Sequence, residues 1–244
     1  MLISYNCTVY FLIKITANTT HTDSFLSQVI VMLKFKSKNK LYFPKFSILI
    51  WITTLLTMVW MTYYPDRLDL NRLFAINPSQ LADNLSQSWW YILQLSSALL
   101  LHGNWQHWAG NMILFLIIAL PLEKRVNGFW FVLIYFVAGF AGNLSSIYQL
   151  GDSVNYLLGA SGAVSGLFGA WLILFPTHKI SVIIPIGLYM QKAKIPVYLL
   201  ALVWLSIQIV LQIINPHNYL IVWSAHIVGF IVGFFVAWLY RVIN

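Results

Sequence analysis

The 244-residue chain carries 14 Lys and Arg and 6 Asp and Glu, so only 8% of it is charged and 60% is hydrophobic, where an ordinary soluble domain is roughly 25% charged. That excludes a water-soluble globular fold of this size and points to a chain solvated mainly by lipid. A net charge of +8 keeps nucleic acid in view as a partner until the basic residues are located, and the single cysteine, Cys7, excludes an intramolecular disulfide, a Cys-based zinc site and an iron–sulfur cluster.

Taken in chain order, Val9–Ile13 is a short apolar run stopped by Lys14, with no small-residue cleavage site behind it, which argues against a cleaved signal peptide. Met32 stands directly before a lysine cluster and is an alternative start. Residues 1–45 are therefore expected to form an N-terminal cytoplasmic segment, with 1–31 either part of it or missing from the mature protein. A membrane domain over 46–242 follows. Its candidate spans are Phe46–Tyr64, Trp105–Leu122, Phe129–Tyr148, a short Ser161–Phe175, Ile195–Ile214 and Tyr219–Arg241. The expected fold class is an all-α integral membrane protein of six transmembrane helices, because a barrel would need many alternating ten-residue strands. Two connections are long, Pro65–Asn104 and Pro176–Lys194.

The basic residues follow these spans. Lys34, Lys36, Lys38, Lys40 and Lys45 precede the first, Lys124 and Arg125 separate the second and third, Lys179, Lys192 and Lys194 separate the fourth and fifth, and Arg241 ends the sixth. All fall on one side. The other side has Arg67 and Arg72 with Asp66, Asp69, Asp83 and Asp152. Both termini are expected in the cytoplasm by the positive-inside rule. The positive charge reads as a topology signal, with the lipid bilayer and not nucleic acid as the partner.

In so apolar a chain, the informative residues are the polar ones at membrane depth. His107 and Asn111 are four apart near the start of the second span and share a helix face. Ser161 opens the fourth span within Gly159-Ala160-Ser161-Gly162, and His226 lies in the sixth. At about 22 Å, the fourth span is too short to cross a ~30 Å core, so its outer end is expected below the surface, met by the loop Gln149–Ala160. Gly159, Gly162, Gly166 and Gly169 trace one face, and Gly229 and Gly233 share the face of His226. Small-residue faces let membrane helices approach backbone to backbone. Packing of these two stripes would bring Ser161 and His226 within hydrogen-bond reach, a nucleophile beside a general base. Taken singly, each residue has an ordinary packing role; their joint occurrence at compatible depths carries the weight.

These residues resemble the motifs of the rhomboid family of intramembrane serine proteases: His102-Gly103-Asn104-Trp105-Gln106-His107 with Asn111, then Gly159-Ala160-Ser161-Gly162, then Ala225-His226 with Gly229 and Gly233. The resemblance covers Trp89–Tyr240, in the family's order, and implies a rhomboid-like bundle of the bacterial six-span type with a short central fourth helix. It implies Ser161 as nucleophile and His226 as general base and later acid, with no third carboxylate. His107, Asn111 and the Ser161 backbone N–H would form the oxyanion hole, with Gly159, Gly162, Gly229 and Gly233 as supporting glycines. No metal or other cofactor is implied. Glu123 and Arg125 resemble a Glu-x-Arg feature read as structural, tying a helix end to a loop.

Two positions depart from the family. Ser165 stands where many members place an aromatic residue against the catalytic histidine, so other contacts must hold His226. Trp89-Trp90-Tyr91 replaces a common Trp-Arg pair. The implied activity is acyl-enzyme proteolysis of transmembrane protein substrates in the bacterial inner membrane, with the site open to the outer side and lateral access past the fifth span. The alternative is an inactive relative that binds membrane-protein clients. Transport or haem binding by His102, His107 and His226 is disfavoured, because glycine-lined packing leaves no room for a macrocycle.

Overall fold

A computed structural model describes residues 43–63, 67–80, 89–151, 153, 155–186, 189–216 and 221–244, together with Thr8–Val9 (β1) and Leu33–Lys34 (β2), which pair antiparallel. The expectation for Met32 lies outside the described residues. The helices are α1 (Lys45–Tyr63), α2 (Arg67–Phe74), α3 (Trp89–Ser97), α4 (Trp105–Val126), α5 (Gly128–Leu150), α6 (Ser161–Leu174), α7 (Val197–Ile214) and α8 (Trp223–Ile243). Between α6 and α7, β3 (Lys179–Ile186) and β4 (Tyr189–Pro196) pair antiparallel, Lys179 opposite Pro196 and Ile186 opposite Tyr189.

The protein is mainly helical, and four of its described helices (α1, α5, α7 and α8) are long and apolar enough to cross a membrane. Each expected span coincides with a helix to within a few residues. Pro176–Lys194 is not a plain connection: it contains most of a β-hairpin, whose first strand holds the β-branched Ile180, Val182, Ile183 and Ile184, residues that favour the extended backbone. Ile195 and Pro196 belong to β4, so the fifth expected span begins at Val197 instead. The hairpin closes onto α7, whose Val197 and Tyr198 N–H groups donate to the carbonyls of His178 and Pro176 at 2.8 and 3.0 Å. Those carbonyls satisfy N–H groups that a helix start leaves unpaired. Asn127 both ends α4 and caps α5: at φ +66° it reverses the chain, and its side chain accepts from the Trp130 N–H at 3.2 Å.

The centre of the bundle is α6. Gly162 through Trp171 are all buried, between α4, α5, α7 and α8. At 14 residues it is about 21 Å long. Lipid is as apolar as leucine, so such helices associate by close packing and not by the hydrophobic effect. The glycine faces supply that packing. A Cβ on Gly229 would strike the Gly162 carbonyl, one on Gly233 the Gly166 backbone, and one on Gly169 the Phe230 carbonyl. Gly142 of α5 joins them: its Cβ would lie 2.9 Å from the Ala225 carbonyl and 3.3 Å from Gly162 Cα. Gly159 is not on this stripe; it lies in the loop ahead of α6.

Glu123 is fully buried near the C-terminal end of α4. Its carboxylate accepts from the N–H groups of Phe46 and Ser47 at 3.1 and 2.7 Å and from the Ser47 hydroxyl at 2.6 Å. A negative group there satisfies unpaired N–H donors and complements the helix dipole, so Glu123 caps α1 from a distance. Arg125 acts separately, its guanidinium 4.4 Å from the Phe175 ring centroid.

Gly233→Ala, whose methyl would meet the Gly166 backbone, is expected to lower the thermal unfolding midpoint in detergent, costing on the order of 1–3 kcal/mol. Gly110→Ala, whose methyl would face open space in α4, is expected to be neutral or slightly stabilising. Equal midpoints for the two variants would contradict the packing described.

Candidate active site

Ser161 is the first residue of α6, and the chain reaches it through a clamped segment. Ile76 and Leu157 exchange backbone hydrogen bonds at 3.0 and 2.7 Å, and the Gly159 N–H donates to the Ala98 carbonyl at 2.9 Å. Buried backbone polar groups are satisfied by other protein groups in this way. Gly159 has φ +134°, and a Cβ there would lie 2.8 Å from His107 Cε1. Glycine is required twice over, for the backbone conformation and for the approach of the imidazole. Ala160, the N-cap, offers no side-chain acceptor to the first turn of α6. The helix start therefore leaves N–H donors beside Ser161, at the positive end of the helix dipole.

His107 converges on the same place. Its backbone N–H is capped by Asn104 Oδ1 at 2.8 Å, and its carbonyl accepts from Asn111 Nδ2 at 3.1 Å. One amide hydrogen of Asn111 is thus used within the helix, and the other remains for a second acceptor. The His107 ring packs edge-on against His102, centroids 5.2 Å apart.

His226 arrives on α8. The Ala225 carbonyl sits between Gly142 and Gly162, 3.5 Å from where a Gly162 Cβ would be, so Ser161 and His226 flank a direct backbone contact. Among the described residues the Ser161 hydroxyl has no hydrogen bond. Ser165, the rival on the same face, is 3% exposed and donates to the Ser161 carbonyl at 2.7 Å, an ordinary back-bond within a membrane helix.

The sequence-derived site lacks three residues that pack around His226: Gln208, Trp204 and Trp223, whose ring centroid is 5.9 Å from that of His226. Gln208 Oε1 lies 2.8 Å from His226 Nδ1. The Trp204 ring, one turn earlier on α7, is 6.2 Å from the His226 ring at an interplanar angle of 35°. Trp204 also stacks on Phe230 at 5.7 Å and meets Phe168 at 5.7 Å. The aromatic support absent at Ser165 comes from α7 instead. The clue in the sequence was a strongly polar glutamine inside an apolar span.

The comparisons with known proteins follow the same outline. The family model described as Rhomboid domain matches residues 86–242, well over half the chain. The chain belongs to the rhomboid family. RHOMBOID-like protein 5 of Arabidopsis thaliana is 30% identical over 144 residues, 58% of this chain and 42% of that protein. Rhomboid-related protein 2 of Mus musculus is 32% identical over 87 residues, 36% of this chain and 27% of that protein. The Bacillus subtilis protein YdcA, named among the rhomboid proteases, is 29% identical over 154 residues, 62% of this chain and 67% of that protein. The matches span less than half the length of the first two relatives. Family and apolar helices together make this an integral membrane protein.

The rhomboid match takes in every site residue above and also His102, which is fully buried before α4. Burial, and then the neighbouring His107, hold the His102 imidazole down at about 3 from its ordinary 6.5. Between those values the unfolded chain binds a proton that the folded chain does not, so stability rises with pH across that window. It is complete above about 6.5 and falls toward 3, by up to about 1.4 kcal/mol per pH unit. The unfolding midpoint is expected to drop between pH 6.5 and 4.5, with a shallower slope in His102→Phe. Identical slopes would contradict this assignment.

Proposed function

We propose that the chain is an intramembrane serine endopeptidase that cleaves transmembrane segments of other membrane proteins. The observation that supports this reading is the backbone approach of Gly162 and Ala225, the neighbours in sequence of Ser161 and His226. In this reading the membrane domain covers 46–242 and has six spans, α4 and the short α6 joining α1, α5, α7 and α8. Both termini lie in the cytoplasm of a bacterial inner membrane, and the site opens to the outer side.

The chemistry follows from those groups. Ser161 Oγ adds to the scissile carbonyl carbon while its proton passes to His226 Nε2. The oxyanion is stabilised by His107, the free amide hydrogen of Asn111 and the N–H at Ser161, a set of donors fixed in a site largely shielded from water. Breaking the C–N bond takes the proton back from His226 to the leaving amine and yields an acyl-enzyme. Water, deprotonated by His226, then releases the second fragment and restores Ser161.

Cleavage of a model transmembrane substrate by purified protein in detergent or liposomes tests this. Ser161→Ala is expected to abolish cleavage, and Asn111→Ala to reduce kcat by about 10²–10³. Cleavage that survives Ser161→Ala would assign the nucleophile elsewhere. A folded wild-type protein that never cleaves would favour the client-binding alternative.

A further inference from the structure

Helix α7 is apolar along nearly its whole length, with Leu199, Leu202, Val203, Ile207, Val210 and Ile213 exposed toward the lipid side. Its buried residues are Val197, Ala201 and Gln208. A buried polar side chain in such a helix is costly unless it is hydrogen-bonded. Gln208 is 6% exposed, and its bond is the one to His226.

The direction of that bond matters chemically. Neutral imidazole has one N–H and one lone pair, and the hydrogen bond made by one nitrogen decides which is which. The amide oxygen of Gln208 can only accept, so Nδ1 carries the proton and Nε2 carries the lone pair. Only that tautomer can take a proton from Ser161 at Nε2. Trp204 on one side of the ring and Trp223 edge-on at 5.9 Å restrict its rotation. A neutral amide sets this tautomer without adding a charge beside the ring.

We propose that Gln208 is a positioning residue for the proteolytic reaction, holding His226 in the tautomer and orientation that a general base requires. This rests on the Ser161–His226 reading above. Because the acceptor comes from α7 and the reacting pair from α6 and α8, the base is correctly set only while α7 is seated on α8. Among the groups packed around His226, Gln208 and Trp204 come from α7 and Trp223 from α8 itself. The titratable neighbour that interacts with it electrostatically is His107 of α4.

The test uses the full chain in detergent with the same transmembrane substrate, comparing wild type, Gln208→Leu and Gln208→Glu. Gln208→Leu is expected to lower kcat about ten- to a hundredfold with KM changed by less than about threefold, a smaller loss than the ~10⁴ seen when a buried triad carboxylate loses its charge. The rate at which a fluorophosphonate labels Ser161 should fall in parallel. Gln208→Glu accepts the same hydrogen bond and adds negative charge, so it should restore kcat and move the acidic limb of the kcat/KM profile to higher pH. The ¹⁵N shifts of His226 should report protonated Nδ1 in the wild type whether or not the leucine variant folds. Wild-type kcat and labelling rate in Gln208→Leu, an unmoved pH limb in Gln208→Glu, or a protonated Nε2 in the wild type would each overturn the proposal. Failure of the underlying reading is distinct: there the wild type itself would neither cleave nor be labelled at Ser161.

Discussion

The structure turns on one contact, the meeting of α6 and α8 without side chains between them. Gly162, Gly166, Gly229 and Gly233 let the two backbones touch, and Gly142 of α5 admits the Ala225 carbonyl into the same groove. In lipid there is no hydrophobic drive to bring helices together, so dispersion between closely packed backbones must do it. A single methyl at Gly233 or Gly229 would separate the helices. The contact fixes the register of α8 against α6, and with it the neighbourhood of Ser161 and His226.

The second constraint is the treatment of polar groups where there is little water. Many of those among the described residues have a specific partner. The Glu123 carboxylate caps α1, Ser165 bonds back to Ser161, Asn143 donates to the Leu95 carbonyl at 2.9 Å, and Thr57 donates to the Leu100 carbonyl at 2.6 Å. The loop before α6 is anchored by Ile76 and Ala98. Against this background the Ser161 hydroxyl, without a hydrogen bond among the described residues, the donors at the start of α6 and the glutamine-held imidazole are the groups that the proposed reaction uses. Each element contributes one part: α4 brings His107 and Asn111, α6 the serine, α8 the histidine, and α7 the amide that orients it.

Much of this was legible from residues alone, for physical reasons. The helices were readable because a lipid-spanning segment must satisfy its own backbone and be apolar for some 20 residues. The glycine faces were readable because small residues at helical spacing in a membrane have few other uses. Gly159 was misread as part of that face. Its spacing fits the stripe, but only its positive φ and the proximity of His107 reveal its role in the loop. The β3–β4 hairpin was hidden because Pro185 and Pro196 interrupt a strand pattern that is only partly alternating. Trp204 and Gln208 were hidden because their partner lies on another helix: which face of α7 meets His226 depends on packing, not on local sequence. Gln208 was nonetheless visible as a polar residue in an apolar span, the same signal that exposed His226.

The most direct measurement is an experimental structure of the protein after reaction with a fluorophosphonate, which leaves a tetrahedral phosphorus where the scissile carbonyl carbon would sit. The account predicts phosphorus bonded to Ser161 Oγ, its oxygen facing the side chains of His107 and Asn111, and the His226 ring still bonded to Gln208. An adduct on Ser165 or any other residue, or an oxygen turned away from His107 and Asn111, would contradict it.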